Sequence, residues 1–475
     1  MDYEPVIGLE VHLQLSTKTK AFCSCSTHFG QRPNSETCPV CLGFPGALPK
    51  FNYQAFVCAL KVALALKCDI QQVVKFDRKN YYYPDLPKNF QISQYDKPLA
   101  YKGCVTIAVE GKAKEIRIKR VHIEEDAGKL IHDTGGDFSF VDYNRTGIPL
   151  LEIVSEPDLA SPQEAYDYLV KLKAILQYLD VSDCDMEKGS LRCDANISVR
   201  PKGTDALGSK VEVKNMNTFK GVRSALEYEM SRQLEAVASG ERLVQETRLW
   251  DAEKGVTISM RSKEEAHDYR YFPEPDLVPF VVAPSEVNAV KESLPELPDQ
   301  RAKRLKETFS LSDYDTGIVI SDRKTADFFE DCAKLYEKSK VLVNWIMGDM
   351  LSQMNTRKVD IASLGITPRS LVGLLKMVDS GQISGKMAKE VFLEAIETKK
   401  GPQDIVKEKG MSQITDMQEL EDTVKVVVSK NEKTVADYKA GKKNAFTYLV
   451  GQVMKETKGR ANPERANEIL KKMLG

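Results

Sequence analysis

Along the first 290 residues, apolar positions recur every second residue in short runs punctuated by Gly and Pro, the pattern of half-buried strands. In "PVIGLEVHLQL", Ile7, Leu9, Val11 and Leu13 share one face, and Gly8, Glu10, His12 and Gln14 share the other. "LRCDANISVR" divides the same way: Leu191, Cys193, Ala195 and Ile197 against Arg192, Asp194, Asn196 and Ser198. "KVEVKN" sets Val211 and Val213 against Glu212 and Lys214. One segment departs from the two-residue period. "SPQEAYDYLVKLKAILQYL" has helical spacing, with Ser161 as N-cap, Pro162 at the first helical position and Glu164 completing a capping box. From about Pro295 helical periodicity takes over, joined by short polar links. Breaks near 290 and 405 predict three parts, 1–290, 291–405 and 406–475. The fold class is α+β: an N-terminal antiparallel-sheet domain, an all-helical domain and a small helical tail.

Composition changes this picture little. The chain has 475 residues, 42% hydrophobic and 29% charged, with a net charge of −1, which suits two or three soluble domains. The N-terminus lacks the basic and apolar regions of a signal peptide, and no run approaches the roughly 18 apolar residues of a membrane span. The expected compartment is the cytoplasm, where disulfides are rare.

That bears on "FCSCSTHFGQRPNSETCPVCLGFPG", which holds Cys23, Cys25, Cys38 and Cys41 as two short-spaced pairs. The spacing suits a tetrahedral zinc with four thiolates and no open position, a structural site; the rival reading is four free thiols. Cys58 and Cys68, in "AFVCALKVALALKC", read as core.

The polar strand faces carry Gly, His, Asp and Asn where a merely solvated face carries Lys, Glu and Thr. "VHIEEDAGKLIH" adds His122, Glu124, Glu125 and Asp126, and "IPLLEIVSEPD" sets Glu152 in an apolar run, which is costly unless paired or metal-bound. Glu10, His12, Glu125 and Glu152 together suit magnesium or manganese, with nucleotide phosphate as co-ligand. In "FDRKNYYYPDLPKNFQISQYDKPL", Arg78 and Lys79 are placed to neutralise phosphate, and the tyrosines read either as packing or as a stacking platform. The chain has no phosphate-binding P-loop, no G-x-G-x-x-G and no G-x-S-x-G. Any ATP chemistry therefore uses another scaffold.

Taken with "HIEEDAGK", "DYNRTGIPLLEIVSEPDL", "SLRCDANISVR", "EVKNMNTF", "DYRYFPEPDLVP" and "NAFTYLVGQVMKETKGRANPERANEILKKML", these segments resemble the B-subunit family of glutamine-dependent aspartyl/glutamyl-tRNA amidotransferases. The resemblance runs over nearly the whole chain. It implies a cradle-shaped N-terminal domain, a helical domain and a tail that touches tRNA. Four such cysteines occur in some members and not in others, so the chain resembles the zinc-bearing subset.

The implied substrate is tRNA(Gln) or tRNA(Asn) wrongly carrying Glu or Asp. ATP converts the side-chain carboxylate to an acyl phosphate, which ammonia displaces; positioning and charge neutralisation carry such phosphoryl transfer. On that resemblance Glu10, His12, Glu125 and Glu152 are the magnesium candidates, and Arg78, Lys79 and Lys129 are the nucleotide-contact candidates. Asp194 and Glu124 take supporting or ammonia-handling roles. Ammonia comes from an amidase-type glutaminase subunit, and a small third subunit completes a heterotrimer. The archaeal-type relative carries a large inserted domain for which 475 residues leave no room. Residues 439–475 hold nine Lys/Arg against three Asp/Glu, with Lys442, Lys443, Lys455, Lys458 and Arg460 as tRNA-contact candidates. The alternative from a different class is a non-catalytic, zinc-containing RNA-binding scaffold.

Overall fold

Alternation of this kind needs a partner on each strand edge and a cover for the apolar face, and the N-terminal half supplies both. A computed structural model of the chain describes residues 2–132, 138–262, 269–411, 417–457, 461 and 463–475. These fall into two units, Met1–Pro298 and Asp299–Gly475. The first unit holds, in chain order, β1 (Tyr3–Gln14), β2 (Asp69–Ile70), β3 (Val73–Val74), β4 (Asp77–Asn80), β5 (Phe90–Ser93), β6 (Ala100–Val109), β7 (Lys112–Glu125) and β8 (Lys129–His132). There follow β9 (Ser139–Asp142), β10 (Pro149–Ser155), β11 (Leu191–Pro201), β12 (Val211–Lys214), β13 (Glu246–Asp251), β14 (Val256–Ser262), β15 (Phe272–Pro273) and β16 (Phe280–Val281).

Nine of them form one sheet in the order β14-β13-β12-β11-β1-β10-β7-β6-β2. Three small sheets, β15-β4-β5, β16-β3 and β8-β9, stand apart from it. The main sheet is antiparallel except where β12 pairs with β13. The sheet is thus the expected antiparallel one but for that single pair, whose cause lies in the connection. The chain between β12 and β13 passes through a 20-residue helix, Phe219–Ala238, long enough to return it in the same direction.

Ile7, Leu9, Val11 and Leu13 of β1 are fully buried, as are Ile123 of β7, Ile153 of β10 and Ala195 and Ile197 of β11. Helices α1 (Tyr53–Ala65), α2 (Pro162–Tyr178) and α3 (Phe219–Ala238) add Leu60, Leu172, Leu176 and Leu226 to the same core. Helix α2 starts where its sequence places it. The Ser161 hydroxyl accepts the Glu164 N–H at 3.1 Å and Pro162 opens the first turn. The Glu164 carboxylate reaches back one residue past the expected box, accepting the Ala160 N–H at 2.8 Å and pairing with Lys114 at 2.7 Å.

The second unit is helical and holds two cores among the described residues. One gathers Phe329, Leu342, Ile346, Leu371, Phe392 and Ile405; the other gathers Val424, Leu449, Val453 and Leu470. Pro at the first position and Thr at the N-cap start the helix Pro368–Asp379, and a Ser384 cap starts Gly385–Thr398. Among the described residues no helix is long and apolar enough to cross a membrane.

Because Leu13 is wholly buried in a central strand, Leu13→Ala is expected to destabilise the N-terminal unit by about 2–5 kcal/mol. The check is an earlier urea midpoint reported by Trp250 fluorescence in a Trp345→Phe background.

Candidate functional site

Since β1 lies between β11 and β10, and β10 lies beside β7, residues in register form rows across the sheet. His12 stands opposite Arg192 on one side and Glu152 on the other, and Glu152 stands opposite His122. The row Arg192–His12–Glu152–His122 thus crosses four adjacent strands on the face away from the apolar core. Glu124, two residues along β7 from His122, enters the same patch. The Glu152 carboxylate lies 3.4 Å from His12 Nε2 and 3.2 Å from His122 Nε2. Glu124 lies 3.9 Å from the first imidazole and 3.5 Å from the second.

These groups set one another's charge. Burial works against both imidazolium ions, yet Glu152 and Glu124 raise His12 above its usual value and push His122 up to about 9. Burial likewise opposes ionisation of the carboxylates, but His122 with Lys79 holds Glu124 below the ordinary range, and His122 with His12 holds Glu152 well below it. Two carboxylates therefore face positive charge from two imidazoles. His12, Glu124 and Glu152 each offer a donor atom within 4.8 Å of the others, a set that fits a hard divalent cation. His12 is 19% exposed and forms the open side, whereas His122 is buried and its Nδ1 has no partner among the described residues.

The surroundings are paired. Arg192 donates to buried Asp126 at 3.0 Å, and Gln14 donates to the same carboxylate at 2.7 Å. Lys214 bridges Asp194 at 2.7 Å and Glu212 at 3.2 Å. Glu10 accepts the Asn196 amide at 2.9 Å, one step along β1 from the row. Lys79 differs: among the described residues it has no hydrogen-bonded or ion-paired partner, and its Nζ lies 4.9 Å from the centre of the Tyr269 ring. Burial opposes its charge, but Glu124 leads the neighbours that keep it firmly protonated.

Of the four carboxylate and histidine candidates read from the sequence, the structure brings His12 and Glu152 together, with Glu124 as their companion. Glu125 points the other way, on the side of Val121 and Ile123, because neighbouring strand residues alternate. There it pairs with Lys88 and accepts the Ile92 N–H at 2.8 Å. The same alternation separates Lys79 from Arg78, whose guanidinium binds Glu274 at 2.7 and 2.8 Å. Lys129 is exposed on β8. Sequence reasoning missed His122 as a site residue and Arg192 as part of the row, although their parity with Glu124 and Asp194 along each strand was the available signal. Lys442 pairs with Asp437 at 2.9 Å and Lys455 is exposed, while Lys443 belongs to the helix Lys443–Glu456. Lys458 and Arg460 lie outside the described residues.

The cysteine loop joins β1 to α1 and sits on the Glu125 side. The sulfur atoms of Cys23, Cys25, Cys38 and Cys41 lie within 4.8 Å of one another with no disulfide, so the cluster could hold a metal ion. Lys20, fully buried, donates to the Glu36 carbonyl at 2.7 Å and stands 3.6 Å from Cys41 Sγ. Asn34 ties the loop to β9, donating to the Val141 carbonyl at 2.9 Å and accepting the Tyr143 N–H at 2.8 Å. A cleft beside the cluster is lined by Cys23, Cys41, Arg78, Lys88, Glu125 and Glu274.

Comparison with known proteins bears on what these clusters serve. A family model described as the GatB/GatE catalytic domain matches residues 5–288, and one described as the GatB domain matches residues 327–474. Curated relatives are named as B subunits of aspartyl/glutamyl-tRNA(Asn/Gln) amidotransferases. The Carboxydothermus hydrogenoformans protein is 55% identical over 476 residues, covering 100% of this chain and 99% of its own. Those of Caldanaerobacter subterraneus and Brevibacillus brevis are 55% and 52% identical, covering 100% and 99% of this chain and the same shares of their own.

The thiols separate by access: Cys23, Cys25 and Cys38 are half-buried, whereas Cys68, Cys184 and Cys332 are buried. At pH 8, alkylation of the native chain in the presence of a chelator is expected to modify the half-buried Cys23, Cys25 and Cys38 and to spare those three. Peptide mass mapping reads the pattern; equal labelling of Cys68 would contradict it.

Proposed function

The chain belongs to the family of aspartyl/glutamyl-tRNA(Asn/Gln) amidotransferase B subunits, and from that premise we propose that the His12, Glu124 and Glu152 patch is where the aminoacyl carboxylate is activated. It is a subunit of an ATP-dependent ligase that amidates misacylated aminoacyl-tRNA. The carrying observation is the convergence of these three side chains on the open face of the central sheet.

A side-chain carboxylate resists ammonia because oxide is a poor leaving group. Transfer of the γ-phosphoryl group of ATP to a carboxylate oxygen yields an acyl phosphate and ADP. Ammonia then adds to the carbonyl carbon, the C–O bond to phosphate breaks, and the surplus proton leaves with solvent or a nearby base, giving the amide and inorganic phosphate. Such chemistry calls for cations aimed at the transferring group rather than for a covalent protein intermediate. Lys79, charged and without a carboxylate partner of its own, supplies one. Asp194, paired with Lys214, lies beside the row and is a proton-accepting candidate for the incoming ammonia, with Glu10 directly opposite it on β1. Magnesium, when held by His12, Glu124 and Glu152, supplies charge neutralisation for the triphosphate. Glu125, with Lys88, faces the cysteine side; Arg78 is engaged by Glu274; Lys129, exposed on β8, is a peripheral candidate for nucleotide contact.

The four cysteines are proposed to hold one zinc ion that fixes the β1–α1 loop, a closed structural site. The N-terminal part, 1–290, carries the chemistry. Residues 291–405 form the helical link, and 406–475 contact tRNA through Lys442, Lys443, Lys455, Lys458 and Arg460. Ammonia is supplied by an amidase-type glutaminase subunit within a heterotrimer that includes a small third subunit. The cytoplasm is the proposed compartment, consistent with ten unpaired cysteines.

With the chain assembled with its partner subunits, Glu-tRNA(Gln), Asp-tRNA(Asn), ATP and magnesium, ADP formation should accompany the amidated product, and ammonia should replace glutamine. Glu124→Gln is expected to lower ADP formation by about a hundredfold or more while tRNA binding persists. Unimpaired turnover in that variant would leave the scaffold reading in its place. The purified chain should also carry about one equivalent of zinc, lost in a Cys38→Ser/Cys41→Ser double variant. A well-folded, metal-free wild type would refute the zinc site.

A further inference from the structure

A series of tyrosines runs from the protein surface inward to Lys79. The Tyr95 ring stacks on Tyr271 with centroids 4.4 Å apart and planes 12° from parallel. Tyr271 meets Tyr269 edge-on at 6.1 Å, and Tyr269 meets Tyr81 at 5.9 Å. The Tyr269 ring in turn faces the Lys79 ammonium. At the outer end, Tyr95 is 54% exposed. Its inner face is covered by Tyr271 and its outer face meets water.

The mount of this outer ring is firm. The Tyr95 N–H donates to Asp77 Oδ2 at 3.0 Å, and Asp77 is buried. Lys75 bridges Asp77 at 3.0 Å and Asp96 at 2.5 Å, fixing the turn from both sides. A flat ring backed by a second ring, open on one side and held by its backbone, has the form of a stacking platform for a base.

The open face of β7 adds a cation. Arg120 precedes His122 by two residues on β7 and so shares its face. Its Nε is buried without an acceptor, and among the described residues no carboxylate pairs with its guanidinium. A partly buried guanidinium left in this state is costly unless an anion arrives. Arg120 stands opposite Tyr101 of β6, whose hydroxyl donates at 3.1 Å to the carbonyl of Asp96, the residue that follows Tyr95.

We propose that Tyr95, backed by Tyr271, and Arg120 form a subsite for an adenosine nucleotide, the base on the outer face of Tyr95 and a phosphate at Arg120. The inference rests on the ligase reading, which brings two adenosine-bearing ligands to this face: ATP, and the 3′-terminal nucleotide that carries the amino acid. Lys79, whose ammonium faces the Tyr269 ring, stands at the inner end of the tyrosine series.

The test uses the full chain assembled with its partner subunits. One arm titrates ATP; the other titrates a short single-stranded RNA ending in adenosine, beside the same RNA lacking its last nucleotide. Tyr95→Ala is expected to weaken one arm by about tenfold, within the range of base–aromatic stacking. Tyr95→Trp should restore that arm, and Arg120→Met should weaken the same one. Loss on the ATP arm identifies the nucleotide as ATP; loss on the RNA arm, absent when the last nucleotide is missing, identifies it as the acceptor end. Wild-type affinity of Tyr95→Ala for both ligands, or failure of Tyr95→Trp to restore, overturns the subsite. ADP formation by the wild type, followed in parallel, keeps the two ideas apart. An inactive wild type sinks the ligase reading, whereas an active one with an indifferent Tyr95→Ala sinks the subsite alone.

Discussion

The chemistry of the N-terminal unit depends on the register of four central strands, β11, β1, β10 and β7. Each is hydrogen-bonded along both edges, so none can slide without breaking two ladders. A slip of one residue would carry His12 and Glu152 into the core and bring Leu13 and Ile153 to the open face. The burial of Leu9, Val11, Leu13, Ile123 and Ile153 therefore positions the site as firmly as any contact within it. Hydrophobic burial selects the register, and the register aligns Arg192, His12, Glu152 and His122.

Charge balance then decides which groups are available. Arg192, Lys214, Arg78 and Lys88 each face a carboxylate, from Asp126, Asp194, Glu274 and Glu125 respectively. Opposite charges about 4 Å apart interact by about 4 kcal/mol at an effective dielectric of about 20, so these cations are held by their partners rather than offered to a ligand. Lys79 and Arg120 have no such partner among the described residues. Around Glu124 and Glu152 the situation is inverted: two buried carboxylates lie close enough to repel, and His122, with Lys79 beside Glu124 and His12 beside Glu152, supplies the positive charge that keeps them ionised. A face with partnerless cations at its margin and a carboxylate pair at its centre suits a polyanion bound together with a cation.

Much of this was legible in the sequence because strand alternation and helix capping are local. Ile7 to Leu13 declared their two faces, and Ser161 and Pro162 marked the start of α2. The distinction between Glu124 and Glu125 was harder. Both are buried and adjacent in "HIEED", and only the pairing of Glu152 with His122 on the neighbouring strand shows which of them joins the patch. Arg78 and Lys79 pose the same problem on β4. Cross-strand register is a property of pairs of distant segments, so parity within one strand narrows the choice without making it. The parallel pairing of β12 with β13 was hidden for a related reason: it follows from where α3 returns the chain. The stacking of Tyr95 on Tyr271 joins residues 176 positions apart, and no local pattern announces it.

The end of β7 connects the two faces of the sheet. Glu124 accepts the Ser93 hydroxyl at 3.1 Å on one side, while Glu125 accepts the Ile92 N–H at 2.8 Å on the other. Consecutive residues of β5 thus clamp consecutive residues of β7, and the direction of Glu124 is set partly by how Glu125 is held. Glu125 in turn lines the cleft beside Cys23 and Cys41, in a loop that contributes few apolar side chains to the core and is fastened by Lys20 and Asn34. Ordering this loop supports the Lys88–Glu125 pair, that pair steadies the strand end, and the strand end presents Glu124 to its partners His122 and Glu152. The cysteine loop and the carboxylate patch are thus joined through the last two residues of β7.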